Sequence, residues 1–174
     1  LNHYKKTIQK DSKNITLLRP FGSSNPYFAD FGWVSANTEV PNTKTKWIAS
    51  NDVLSPENAV ILWWQNSDRI KFIQEISLDP NFMFTVKQRV ENAGSKTVTV
   101  FPFGRIQRTG TPEITDFYIL HEGMLGIFDG VLTEIDYDDI RETKKIEKKS
   151  KGGWVGITDK YWLTAVIPEK GKNF

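Results

Sequence analysis

The sequence predicts an all-β, antiparallel sandwich. Three observations carry this: apolar residues alternate with a period of two in adjacent segments, turn residues separate those segments at short spacing, and helical periodicity is weak throughout the 174 residues. A chain of this length suits one domain. No shift in composition divides it, so residues 1–174 are expected to form a single domain.

Taken in order, residues 16–19 form a short strand candidate, followed by a Gly/Ser/Asn/Pro-rich loop over 19–26. Residues 27–35 read as a strand, and 41–46 as a polar loop. Residues 59–66 form another strand, in which the adjacent Trp63 and Trp64 face opposite sides. Segments 69–79 and 82–92 are the clearest pair. Phe82, Phe84, Val86, Gln88 and Val90 share one face, and Met83, Thr85, Lys87, Arg89 and Glu91 the other. Ile70, Phe72, Ile76 and Leu78 line a face of the first segment, with Gln74 the exception. Asp79-Pro80-Asn81 supplies turn chemistry, so the two should form a hairpin. Asn92-Ala93-Gly94-Ser95 is the next turn, and a strand lies within 95–109, where Pro102 marks an edge or a break. Further strands are expected at 116–121, 128–135 and 161–167, with a short turn at 136–140. A lysine-rich connector covers 142–151, and a short helical link 153–160.

Composition excludes several classes. Cysteine is absent, which removes thiol catalysis, disulfides and cysteine-bound zinc and fits an oxidising compartment. Two histidines, His3 and His121, leave little for histidine chemistry. The longest apolar run, residues 59–64, is far short of the roughly 20 residues that span a bilayer. The first residues are not a signal peptide, and the chain reads as a piece of a longer protein. Net charge is only +2 but uneven. Residues 111–140 hold eight acids and no Lys or Arg, whereas 141–151 hold six bases and two acids. That basic run has no interleaved aromatic residues, so nucleic acid is not an expected partner.

Catalytic chemistry is thin. The run Asp136-Tyr137-Asp138-Asp139 lacks the spacing and mid-loop glycine of a calcium loop, and reads as a solvated turn pairing with the lysines. His121 and Glu122 would point to opposite faces of a strand and could not share one bond. Glycines 123–126 and 152–153 do not fit a dinucleotide fingerprint and read as strand turns or bulges. No catalytic residue, metal or cofactor is expected. The remaining resource is aromatic. If a groove exists, Trp64, Arg89, Phe103 and Arg105 are its candidate lining. If a partner face exists, Asp136, Asp138, Asp139, Lys144, Lys145, Lys148 and Lys149 are its accessible candidates. The lysines are first a solvated loop. Their functional reading is contact with acidic protein or anionic lipid headgroups.

Several segments resemble one family. They are Asn14-Ile15-Thr16-Leu17-Leu18, Tyr27-Phe28-Ala29-Asp30-Phe31-Gly32-Trp33, Arg89-Val90-Glu91-Asn92, residues 118–130, residues 151–162 and Ala165-Val166-Ile167-Pro168. In this order, over nearly the whole chain, they resemble the periplasmic domain of the bacterial YidC membrane-protein insertases, of the Oxa/Alb family. The resemblance implies a β-supersandwich similar to galactose mutarotase, here truncated, placed between two membrane helices on the periplasmic face of the inner membrane. It implies a soluble, non-enzymatic domain of an otherwise membrane-embedded insertase and chaperone, whose insertase activity resides in a transmembrane core. Sec translocon subunits and nascent membrane proteins are the implied partners. Mutarotase chemistry is not expected: Asn92-Ala93-Gly94 fits the turn before the first catalytic histidine of those enzymes, but residues 100–105 hold no histidine. The alternative function is a carbohydrate-binding module of the same fold.

Overall fold

The computed structural model describes residues 5–112, 120–159 and 162–174. The chain divides into two compact units, residues Leu1–Asp30 with Arg105–Phe174 (unit 1) and Phe31–Gly104 (unit 2). Strand β1 (Tyr27–Val34) pairs with β6 (Phe101–Arg108), and both contribute residues to each unit. Apart from one short helix the regular structure is β, and every recorded pairing register is antiparallel, as the alternation predicts. Among the described residues no helix is long and apolar enough to cross a membrane.

Unit 2 is built on β2 (Ile48–Ala49), β3 (Val60–Gln65), β4 (Ile70–Leu78) and β5 (Phe84–Asn92), in that spatial order. Strand β4 is central and the most buried, so Ile70 and Phe72 are 1% and 0% exposed. Trp64, Phe72 and Val90 lie opposite one another across three strands and so share a face. Trp33 packs edge-on against Phe72 at 5.2 Å, and Trp64 stacks on it at 6.0 Å. Trp63, on the other face, has the Lys71 ammonium 4.7 Å from its ring. The polar exceptions on the buried face are satisfied. Gln74 donates to the Phe31 carbonyl at 2.7 Å and Gln88 to that of Gly32 at 2.8 Å. The β4–β5 turn closes on Asp79, whose carboxylate accepts from the Asn81 and Met83 N–H groups.

Unit 1 holds a four-stranded sheet in the order β10-β9-β7-β8, from β7 (Gly123–Phe128), β8 (Val131–Asp136), β9 (Gly153–Asp159) and β10 (Trp162–Val166). Helix α1 (Tyr137–Thr143) follows β8. Several expectations are corrected here. The strand expected at 128–135 is a hairpin: Asp129 and Gly130 both have positive φ, +49° and +83°, the two-residue turn that matches strand twist. Gly123 and Gly126 sit inside β7, not at a turn, and the expected turn at 136–140 is the helix. The helical link at 153–160 is strand β9, hydrogen-bonded to β7 on one side and β10 on the other. Residues 16–19 form no strand; Arg19 makes only an isolated bridge to Tyr27. Most of the strand expected at 116–121 lies outside the described residues.

Gly153 shows why glycine is needed in β9. Its φ is +107°, and an added Cβ would lie 2.0 Å from the Ile127 carbonyl oxygen. Gly153→Ala should lower the unfolding free energy by about 2 kcal/mol or more, from strain and clash together. A urea titration that leaves the midpoint unchanged would contradict this.

Candidate functional site

Four elements of unit 1 converge on one polar cluster. Arg108 ends β6, Asp159 ends β9, Tyr137 opens α1 and Tyr27 opens β1. The Arg108 guanidinium pairs with one Asp159 carboxylate oxygen and donates to the Tyr137 hydroxyl at 3.3 Å. Tyr137 in turn donates to the other Asp159 oxygen at 2.8 Å. The guanidinium carbon lies 4.9 Å from the centre of the Tyr27 ring. The charged side chains are only 19% and 17% exposed. At that burial an ion pair needs further hydrogen bonds, and here Tyr137 bonds to both partners.

The environment tunes these groups. Burial, then the hydrogen bond to Asp159 and its charge, push the Tyr137 phenol above its ordinary 10.0. Burial likewise raises Tyr27. For Arg108, burial disfavours the cation, but the Asp159 hydrogen bond and charge together outweigh it and the guanidinium is held more firmly protonated. Beside the cluster lies a cleft of about 470 Å³, with Ile15, Leu17, Arg19, Tyr27, Arg108 and Trp162 among its walls. The Arg108 and Asp159 headgroups are matched to each other, so their chemistry is that of a junction, not of an acid and base facing a substrate.

The residues expected to line a groove do not assemble into one site. Trp64 packs on Phe72 in the core of unit 2. Arg89 lies opposite Ile73 on the other face of the same sheet, where it is exposed and pairs with Glu91 at 3.3 Å. Phe103 lies against Gly32, where a Cβ would meet its ring at 2.8 Å. Arg105, in unit 1, forms a two-pronged pair with Asp30 at 2.6 and 3.0 Å. A concavity of about 490 Å³ does lie by the Asn92–Gly94 turn, but Val90, Asn92, Lys96 and Val98 border it.

The expected partner face is exposed. Asp138 and Asp139 occupy the first turn of α1, where carboxylates are favoured, and Asp138 pairs with Arg141. Asp136 lies 3.2 Å from the His121 ring, whose other nitrogen is 2.9 Å from the Met124 carbonyl. His121 and Glu122 precede β7 and are not on a strand. Lys144, Lys145, Lys148 and Lys149 are all exposed. The sequence reading missed Arg108 and Asp159 because they are 51 residues apart and carry no local motif. Tyr137 stood out only as part of an acidic run.

The YidC periplasmic domain family matches residues 1–174. A membrane protein insertase YidC of Methylorubrum extorquens is 40% identical over 185 residues, covering 100% of this chain and 30% of that protein. One of Beijerinckia indica is 41% identical over 180 residues, covering 100% and 30%. One of Rickettsia bellii is 40% identical over 178 residues, covering 100% and 32%. The chain thus spans about a third of the length of the curated relatives it matches.

The polar junction makes two measurable demands. Arg108→Ala should lower stability by about 3–5 kcal/mol, because it leaves Asp159 charged and unpaired in a poorly hydrated place. Tyr137 makes stability pH-dependent in the alkaline range. Below pH 10 its phenol is protonated in folded and unfolded chains alike, and its contribution is intact. As pH rises above that value the unfolded phenol ionises first and stability falls. Tyr137→Phe should be less stable at neutral pH yet show a shallower alkaline decline in denaturant titrations.

Proposed function

The chain belongs to the YidC periplasmic domain family, and from that premise we propose that it is the non-enzymatic periplasmic part of a membrane-protein insertase and chaperone. It assists insertion and folding of inner-membrane proteins by docking, either to Sec translocon subunits or to emerging substrate segments. The observation that carries this reading is the match along the whole chain to proteins named as insertases, at about 40% identity.

The geometry supports docking in physical terms. Strand β5 ends the sheet of unit 2, and Thr85, Lys87, Arg89 and Glu91 are exposed along it. Charged side chains on an edge suppress indiscriminate strand pairing while leaving polar recognition open. The carbohydrate alternative asks for exposed rings beside polar groups available to a sugar. The matched Arg108–Asp159 pair at the cleft of unit 1 weighs against it.

Photocrosslinking probes at Arg89 and Asp138 of the full-length protein, in intact membranes, test the proposal. Crosslinks to a translocon subunit identify translocon docking, and crosslinks to nascent chains alone identify a substrate surface. No protein crosslink from either position overturns docking in favour of a spacer.

A further inference from the structure

Two exposed, lysine-rich strips of unit 1, separate in sequence, are joined by the fold. Helix α1 ends at Lys144, which has a left-handed backbone and donates its N–H to the Ile140 carbonyl at 2.8 Å. From there the chain runs without helix or strand, and residues 144–149 are all exposed. This first strip presents Lys144, Lys145, Lys148 and Lys149.

Its far end is pinned. Ser150 is 5% exposed; its hydroxyl accepts from the Asp129 N–H at 2.7 Å and donates to the Gly152 carbonyl at 2.7 Å. The Lys151 N–H donates to the Asp129 carboxylate at 3.0 Å. The same clamp holds the second strip. Ser150 and Phe174 exchange backbone hydrogen bonds of 3.1 and 3.0 Å, and the Gly152 N–H donates to the Lys172 carbonyl at 2.9 Å. Lys151 bridges to Asn173, so the segment that carries exposed Lys170 and Lys172 is joined to the end of the first strip, though about 20 positions separate them in sequence. Residues 144–151 and 169–174 carry seven lysines against Glu147 and Glu169, a formal charge of +5. Glu147 already pairs with Lys145 at 2.6 Å. Exposed apolar groups accompany the charge: Ile146 lies within the first strip, and Val131 follows the Asp129-Gly130 turn.

We propose that this two-strip face binds anionic phospholipid headgroups of the bilayer. Every cation on it is lysine. Lysine is a point charge on a flexible stem and lacks the planar fork with which arginine grips a fixed carboxylate. An extended, exposed row of such charges complements a laterally mobile phosphate surface. Each lysine near an anionic bilayer adds about fivefold in affinity, an effect that salt screens. The relatives are membrane proteins by name, which puts a bilayer within reach. The inference does not depend on translocon docking.

Flotation of the 174-residue chain with vesicles tests it. The chain should float with phosphatidylglycerol-rich vesicles at low salt, not with pure phosphatidylcholine, and be released by high salt. The triple variant Lys145→Gln, Lys148→Gln, Lys149→Gln should weaken binding at least about tenfold. Lys170→Gln with Lys172→Gln, on the other strip, should also weaken it. All five side chains are exposed, and a melting curve matching the parent confirms that the fold is kept. Equal flotation with both vesicle types, or unaltered binding by the triple variant, overturns the proposal. Binding to soluble polyglutamate without binding to phosphatidylglycerol vesicles overturns it in favour of an acidic protein partner.

Discussion

The pairing of Arg108 with Asp159, closed by Tyr137, is the constraint around which unit 1 is arranged. Two opposite charges sit where water reaches them poorly, so each requires the other in place. That requirement fixes the end of β6 against the end of β9 and draws the first residue of α1 to the same point. Tyr27, Tyr137 and Ile157 form the buried apolar cluster beside it, with Met124 and Ile106 packed against them. The helix that starts at Tyr137 is short. Its placement therefore depends on this junction more than on its own propensity.

Unit 2 solves the same problem with neutral groups. Gln74 and Gln88 interrupt an otherwise apolar face, yet each donates to a carbonyl of β1 and so sets where that strand lies. Asn66 is 5% exposed and acts at a loop. Its amide donates to the Thr38 hydroxyl and the Glu39 carbonyl, and its oxygen accepts from the Asp68 and Ile70 N–H groups. Buried amides of this kind add little net stability but make alternative registers expensive, since a slipped strand would leave them unpaired.

The two strategies leave function to the surface. The interior Arg108–Asp159 pair, Gln74, Gln88 and Asn66 are hydrogen-bonded, whereas the lysine strips, the acidic start of α1 and the charged outer face of β5 point to solvent. The chain belongs to a family of periplasmic domains of membrane protein insertases. Exposed, salt-sensitive charge suits weak and reversible contact.

The alternation of residues 69–92 determined the central hairpin, its turn and its inward face, because a side-chain period of two is a local property of the backbone. The opposite orientation of Trp63 and Trp64 followed from the same rule. The family words determined the kinship. Residues 153–159 were not legible as a strand, since their glycines carry little propensity, and pairing with β7 and β10 made the strand. The hairpin at Asp129-Gly130 had a readable signal that an apolar run on either side obscured. The Arg108–Asp159 junction and the joining of residues 150–152 to residues 172–174 were decided only by the tertiary structure. Each joins residues far apart in sequence, and no local pattern encodes which distant residue a folded chain will bring alongside.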